Sequence, residues 1–272
     1  RDGLYGIVAA HVRAQELGFR LLVGSQVTVD AGQLVLLVET LEGYRNLCRL
    51  LTAGRLRSPK GECQVTLEEV CQRHRGLLAL WAPGVSLGPL RQAFRDRLYA
   101  RVARHRLARQ AAQEDELRAS GLPLVAAPEV LYHQPSRRPL QDVLTCIRYR
   151  VTLASAGRLL RPNAEYGLAS PEEMAELYAD LPEALEATRE IARRCRFSML
   201  ELRYVYPAEQ LAAGTSVQGR LEELTWAGAA WRYPGGLTRA IEAQLKKELT
   251  IIAQLDYGGC FLTLYDIVQF CQ

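Results

Sequence analysis

The sequence contains no Cys-x-x-Cys pair, and its 7 cysteines make an odd total. That spacing argues against a disulfide framework and against a paired-cysteine zinc site, and it suits reduced thiols in a cytoplasmic protein. No uncharged apolar run approaches the ~18 residues needed to cross a bilayer. The glycine-rich dinucleotide fingerprint, the phosphate-binding loop with its lysine and the HExxH zinc motif are all missing. Histidine is scarce at 4 residues, and lysine supplies only 3 of the 34 cations, the rest being arginine. A chain so poor in these groups has few positions at which a nucleophile and base, or a metal cluster, could be built. What remains is ordinary. The chain has 272 residues, 49% apolar and 24% charged, which excludes a disordered, collagenous or coiled-coil protein and suffices for one large core or two unequal ones.

The chain opens on Arg1, without an initiator Met or a signal-peptide pattern, and both ends read as cut, so a piece of something longer is expected. The first two-thirds alternates strands and helices. Leu21 to Val29 and Leu34 to Val38 are apolar and β-branched, and the Asp30-Ala-Gly-Gln33 turn between them predicts a hairpin. Leu41 to Thr52 has helical spacing, and Thr66-Leu-Glu-Glu69 is a capping box opening a helix to about His74. Gly76 to Trp81, Leu98 to Ala103 and Leu122 to Ala127 read as buried strands, separated by helices near Leu87 to Asp96 and Arg106 to Ser120. Fully apolar strands alternating with helices predict a parallel sheet covered on both faces, as in an α/β barrel. After about residue 139 only helices are expected: one opened by Ser170-Pro-Glu-Glu173, then Pro182 to Arg194, Val217 to Trp231, Leu237 to Leu255 and Thr263 to Phe270. Tyr204 to Gly214 reads as a linker, dividing a domain at 1–205 from a helical segment at 206–272. The first carries 29 Lys and Arg against 23 Asp and Glu, the second 5 against 7.

Few residues could carry chemistry. His11 lies on an early helix as a surface or core-edge residue, and His74 reads as a partner for a helix C-terminus. His105, Glu129 and His133 follow strands, where α/β barrels build their sites, and Gln26 is a polar side chain within an apolar strand. These four could converge at a barrel mouth, although one carboxylate, one amide and two imidazoles make a thin ligand set. Gln134 to Arg161 holds six Arg opposed only by Asp142. Phosphate-backbone contact would need such a patch, through Arg137, Arg138, Arg148 and Arg150, and a solvated face is the alternative. Asp266 stands alone in an apolar helix and reads as a cap or an ion-pair partner.

Six strings in order are similar to the N-terminal part of bacterial C-family DNA polymerases, the relatives of the replicative DNA polymerase III alpha subunit. They are Arg1-Asp-Gly-Leu-Tyr-Gly6, Val23-Gly-Ser-Gln26, Glu42-Gly-Tyr-Arg-Asn-Leu47, Ser58-Pro-Lys-Gly61, Arg137-Arg-Pro-Leu-Gln-Asp-Val-Leu144 and Phe261-Leu-Thr-Leu-Tyr-Asp-Ile-Val268. Ser58-Pro-Lys-Gly61 and Arg194-Cys-Arg-Phe-Ser198 resemble the error-prone, translesion branch most. The resemblance covers the whole chain.

It implies an α/β fold: a PHP (polymerase and histidinol phosphatase) type distorted barrel, truncated at its N-terminus, followed by an all-helical segment that begins the polymerase palm. It also implies a DNA-directed DNA polymerase of damage-tolerant synthesis in the bacterial cytoplasm. Its substrates would be DNA and deoxynucleoside triphosphates, a sliding clamp and translesion accessory proteins would be its partners, and no membrane would be involved. The Mg²⁺-holding polymerase carboxylates follow the present segment in the family, so no catalytic residue is assigned here and the segment alone should not synthesise DNA. In active PHP domains a His-x-His and a Thr-Asp element, positions preceding Arg1, open a three-metal site. The family's Gly-x-Glu ligand corresponds to Gln26, its later His to His105, and its Asp-x-His pair to Glu129 and Leu131. Losing one anion and one imidazole should remove most of the affinity for Zn or Mn, so His105 and Glu129 are expected to be remnants. The alternative is a free-standing PHP-type phosphoesterase or 3′→5′ exonuclease.

Overall fold

The computed structural model describes residues 1–30, 32–202 and 214–271. It divides into two compact units, Arg1–Leu202 and Arg203–Gln272. Tyr204 to Ala213, most of the expected linker, and the expected boundary at 205/206 lie outside the described residues.

The first unit is built on a five-stranded sheet in the order β1-β2-β3-β4-β5. β1 (Gly24–Val29) and β2 (Gly32–Val38) form the expected hairpin, with Val29 opposite Gly32 and Gln26 opposite Val35. Asp30 takes the left-handed conformation that so short a connection requires. β2 then pairs antiparallel with β3 (Leu77–Trp81), whereas β3, β4 (Leu98–Val102) and β5 (Leu124–Ala126) run parallel. The expected parallel sheet is therefore corrected to a mixed one, parallel only from β3 onward. The parallel pairs are each joined by a connection with one α-helix, α4 (Leu87–Phe94) and α5 (Gln110–Ala119), whereas two helices lie between β2 and β3 and bring the chain back antiparallel.

Both sheet faces are covered, which explains why β3 is buried at every position. One face packs Leu34, Leu36, Ala79 and Ala100 with Leu47 and Leu50 of α2 (Leu41–Arg57) and Phe94 of α4. The other packs Leu78, Leu80, Tyr99 and Val125 with Ala187 and Ile191 of α8 (Pro182–Arg194). The capping boxes at Thr66, opening α3 (Leu67–Gln72), and Ser170, opening α7 (Pro171–Leu177), are both formed. α1 (Ile7–Glu16) precedes the sheet and buries no residue. Some limits differ from expectation: α2 runs on to Arg57, and α5 starts at Gln110 rather than Arg106.

Two arginines tie the helices to the sheet. Arg104, just beyond β4, forks onto Glu114 of α5 (Nε–Oε1 2.9 Å, Nη2–Oε2 2.7 Å) and onto Asp180 (Nη1–Oδ1 2.5 Å, Nη2–Oδ2 2.9 Å), and lies over the Tyr178 ring. Its guanidinium lowers the Asp180 carboxyl to about 2. Arg194, at the end of α8, reaches Glu39 at 3.0 Å and the Tyr99 hydroxyl at 3.0 Å.

The second unit consists of α9 (Val217–Arg232), α10 (Arg239–Gln254) and α11 (Gly258–Cys271) around Leu221, Leu249 and Leu262. α11 begins five residues before the expected Thr263. No single helix among the described residues is long and apolar enough to cross a membrane.

The tightest backbone approach joins α2 to the start of β3. Gly76 takes φ +68°, and a Cβ added at Gly43 would sit 1.8 Å from the Gly76 carbonyl oxygen. Backbone cannot yield as a side chain does, so Gly43→Ala should cost about 3 kcal/mol or more of stability. Urea unfolding of the variant beside the parent chain checks this.

Candidate functional site

The site is built where β4 and β5 end. The chain leaves β4 through Arg104 and His105, and it leaves β5 through Ala127 and Glu129. The segment 161–167 crosses both, held by an isolated bridge between Tyr132 and Gly167. His105 is buried, with every hydrogen-bonding group engaged. Its backbone N–H donates to Gln110 Oε1 at 2.8 Å, and its carbonyl accepts from Asn163 Nδ2 at 2.7 Å. Nδ1 lies 2.9 Å from the Glu165 carbonyl oxygen, and Nε2 accepts the Glu129 backbone N–H at 3.1 Å. An N–H can only donate and a carbonyl can only accept, so the ring is the neutral Nδ1–H tautomer with its one lone pair already used. The Tyr166 ring stacks on it at 4.0 Å between centroids. Burial, above all, lowers the pKa of His105.

Two arginines, Arg161 and Arg101, lie around it. The Arg161 guanidinium holds the Glu129 carboxylate at 2.5 Å and lies over Tyr166, 4.9 Å from the ring centroid. Arg101 sits on β4, donating Nε to the Ala127 carbonyl at 2.7 Å. Both guanidinium groups put positive charge near the His105 ring, which adds to the lowering of its pKa.

The expected residues fare unequally. His105 and Glu129 are brought together, through backbone and ring rather than through the carboxylate. Gln26 is at the far edge of the sheet, its amide paired with that of Gln33 across the hairpin. His133 is exposed, and Leu131 uses its backbone N–H on the Tyr166 carbonyl. Convergence of all four at one mouth is therefore corrected to a pair. Among the described residues, no three His, Cys, Asp or Glu side chains gather closely enough to hold a metal. The residues present do not fit the family's metal cluster, because the imidazole has no free lone pair, the carboxylate is paired with Arg161, and the amide at Gln26 is directed elsewhere.

His74 also departs from expectation. Its Nδ1 lies 2.7 Å from Arg97 Nη2 and its ring meets Phe94 edge-on, and burial and then the arginine lower its pKa. The ring is thus turned to Arg97 and Phe94 rather than to the carbonyls that end α3. Asp266 is exposed within α11, neither a cap nor an ion-pair partner among the described residues. The string Gly84-Val-Ser-Leu-Gly88 has the Gly-x-Ser-x-Gly spacing of hydrolase nucleophiles, but Ser86 is an exposed residue before α4, and no histidine hydrogen-bonds it among the described residues.

The four basic residues do not form one strip. α6 (Arg138–Tyr149) carries Arg138 half-buried, within 3.6 Å of Asp142 and donating to the Arg161 carbonyl at 2.9 Å. Arg137 and Arg148 are exposed near opposite ends of α6, and Arg150 closes it in a left-handed conformation. Sequence reading missed Arg101, Arg161, Asn163, Glu165 and Tyr166. The dense polar and aromatic string Arg161-Pro-Asn-Ala-Glu-Tyr166, in a stretch otherwise read as helical, was the available signal.

A depressed histidine pKa makes protonation favour the unfolded chain. The contribution of His105 to stability is therefore complete above the unfolded value of about 6.5 and declines as pH falls below it. Nitrogen-15 spectra should show the His105 ring as the Nδ1–H tautomer, titrating below the ordinary histidine value of about 6.5. A ring that titrates at 6.5 or above would contradict the geometry.

Comparison with known proteins agrees with this architecture. Residues 1–116 match the family model described as PHP domain, and residues 219–272 match the bacterial DNA polymerase III alpha NTPase domain. The chain is 39% identical over 286 residues to an error-prone DNA polymerase of Caulobacter vibrioides, and 41% identical over 279 residues to one of Pseudomonas aeruginosa. It is 36% identical over 285 residues to error-prone DNA polymerase 1 of Agrobacterium fabrum. These matches cover 99–100% of this chain but only 26–27% of the relatives, so the chain spans about a quarter of their length. Residues 1–116 are thus similar to the PHP domain family and residues 219–272 to the bacterial DNA polymerase III alpha family, in the order these two parts follow along the chain.

Proposed function

We propose that this chain is a segment of an error-prone DNA-directed DNA polymerase that copies damaged templates in the bacterial cytoplasm. Its PHP unit has given up metal chemistry and serves as a scaffold and docking surface. The first half of this reading is supported by identity of 36–41% with error-prone DNA polymerases across almost the whole chain. The second is supported by one observation, the capture of both His105 ring nitrogens by the backbones of Glu129 and Glu165.

The residues of this unit order loops rather than move protons. His105 fixes the exits of β4 and β5 relative to one another. Arg161 neutralises Glu129 and covers Tyr166. DNA and deoxynucleoside triphosphates would be handled by the parent protein, with Mg²⁺ held by carboxylates outside this segment, and a sliding clamp and accessory proteins would be engaged by the same parent. The competing reading, a PHP-type phosphoesterase or 3′→5′ exonuclease, requires a ligand set that Gln26 and Leu131 cannot complete.

Two measurements on the full-length polymerase test the proposal. Elemental analysis after purification with Zn²⁺ and Mn²⁺ should find well under one equivalent bound to the PHP unit, and metal-stimulated release of 3′ nucleotides should be absent. Near-stoichiometric metal together with cleavage that His105→Phe abolishes would overturn it. Primer extension across a damaged template should require the full-length protein, and extension by the 272-residue chain alone would contradict the assignment of the chemistry to later residues.

A further inference from the structure

α6 is an amphipathic helix turned inside out. Its covered side carries buried Cys146 and the half-buried pair Arg138 and Asp142, while Leu140, Val143, Leu144 and Ile147 face solvent at 50%, 41%, 51% and 67% exposure. Those positions are i, i+3, i+4 and i+7, one continuous aliphatic stripe along two turns. A scattered exposed leucine needs no explanation, but a whole stripe facing water does. Arg137 and Arg148 are 11 residues apart, so they fall on the same edge of the stripe, about 16 Å from one another along the axis. The only acid on the helix, Asp142, is on the covered side beside Arg138.

We propose that this face of α6 docks an acidic amphipathic helix of a partner protein, whose aliphatic side covers Leu140, Val143, Leu144 and Ile147 and whose carboxylates meet Arg137 and Arg148. Helix-on-helix recognition is read through anchors at this spacing, with flanking charges setting the choice of partner. The charges decide against the other occupants. A second copy of the chain laid antiparallel would bring Arg137 of one protomer against Arg148 of the other, and a parallel copy would set like against like. Nucleic acid would meet both arginines but leave four aliphatic side chains without a use, since backbone contact is made by charge and hydrogen bonds. A bilayer would gain little, because four half-exposed aliphatic side chains offer less than the single acyl chain that by itself holds a protein only marginally.

The inference rests on reading the first unit as a docking scaffold, and its test does not depend on metal content, so the two fail separately. The probe is a labelled synthetic helical peptide with Leu at i, i+3, i+4 and i+7 flanked by Glu, titrated into the 272-residue chain by fluorescence anisotropy. A Lys-flanked peptide, a DNA duplex and anionic vesicles serve as comparisons. Saturable binding of the Glu peptide is expected, weakened at least tenfold by Leu144→Asp or, more gently, Leu144→Gln. The double variant R137E/R148E should lose the Glu peptide and take up the Lys peptide instead. Unchanged thermal unfolding of these surface variants confirms that they fold. Equal binding of both peptides, or none, overturns the proposal. So does competition by the duplex or the vesicles that the same variants abolish, or a concentration-dependent dimer that Leu144→Asp disperses.

Discussion

A single imidazole with no unused nitrogen governs the end of the sheet where a PHP domain would do its chemistry. His105 joins three stretches of chain that share no secondary structure: the exit from β4, the exit from β5 and the crossing segment 161–167. Each bond contributes only about 1 kcal/mol net, but leaving any of these buried groups unpaired costs more than making the bond gains. The ring is therefore held by an asymmetry of cost. A metal ion competing for Nε2 would first have to displace the Glu129 N–H, and among the described residues no group of three His, Cys, Asp or Glu side chains is placed to compensate.

The surrounding charges follow from that constraint. The Glu129 carboxylate beside the ring finds its counter-charge in Arg161. The same device recurs away from the site, with Arg104 binding Glu114 and Asp180 and Arg194 binding Glu39 and Asp96. Planar guanidinium can bridge two carboxylates and a carbonyl at once, which lysine cannot. An arginine-rich chain thus puts part of its arginine to structural use.

The strands and helices were legible because their signals are local. β3 is apolar at every position and buried at every position, and Thr66 and Ser170 cap their helices as the strings predict. Strand direction was less legible, since β2 and β3 are joined across α2 and α3, a connection that permits either direction, and the antiparallel pairing shows only in three dimensions. The site was half legible. His105 and Glu129 stand after strands, a position visible in the sequence, but their bond runs through a backbone N–H that no residue type announces. Gln26 was singled out correctly as a polar residue needing a partner, yet the partner is Gln33, diagonal to it across the hairpin. The inverted polarity of α6 was invisible for a different reason: periodicity gives the apolar face but not the side on which the sheet lies.

The central claim, that His105 serves structure and not catalysis, is tested most directly by equilibrium urea unfolding of His105→Phe beside the parent chain. Phenylalanine keeps a ring for Tyr166 to stack on and removes both hydrogen bonds, leaving the Glu129 N–H and the Glu165 carbonyl unpaired. The account predicts a loss of about 1–3 kcal/mol in unfolding free energy at pH 7. An unfolding curve superimposable on that of the parent would contradict it.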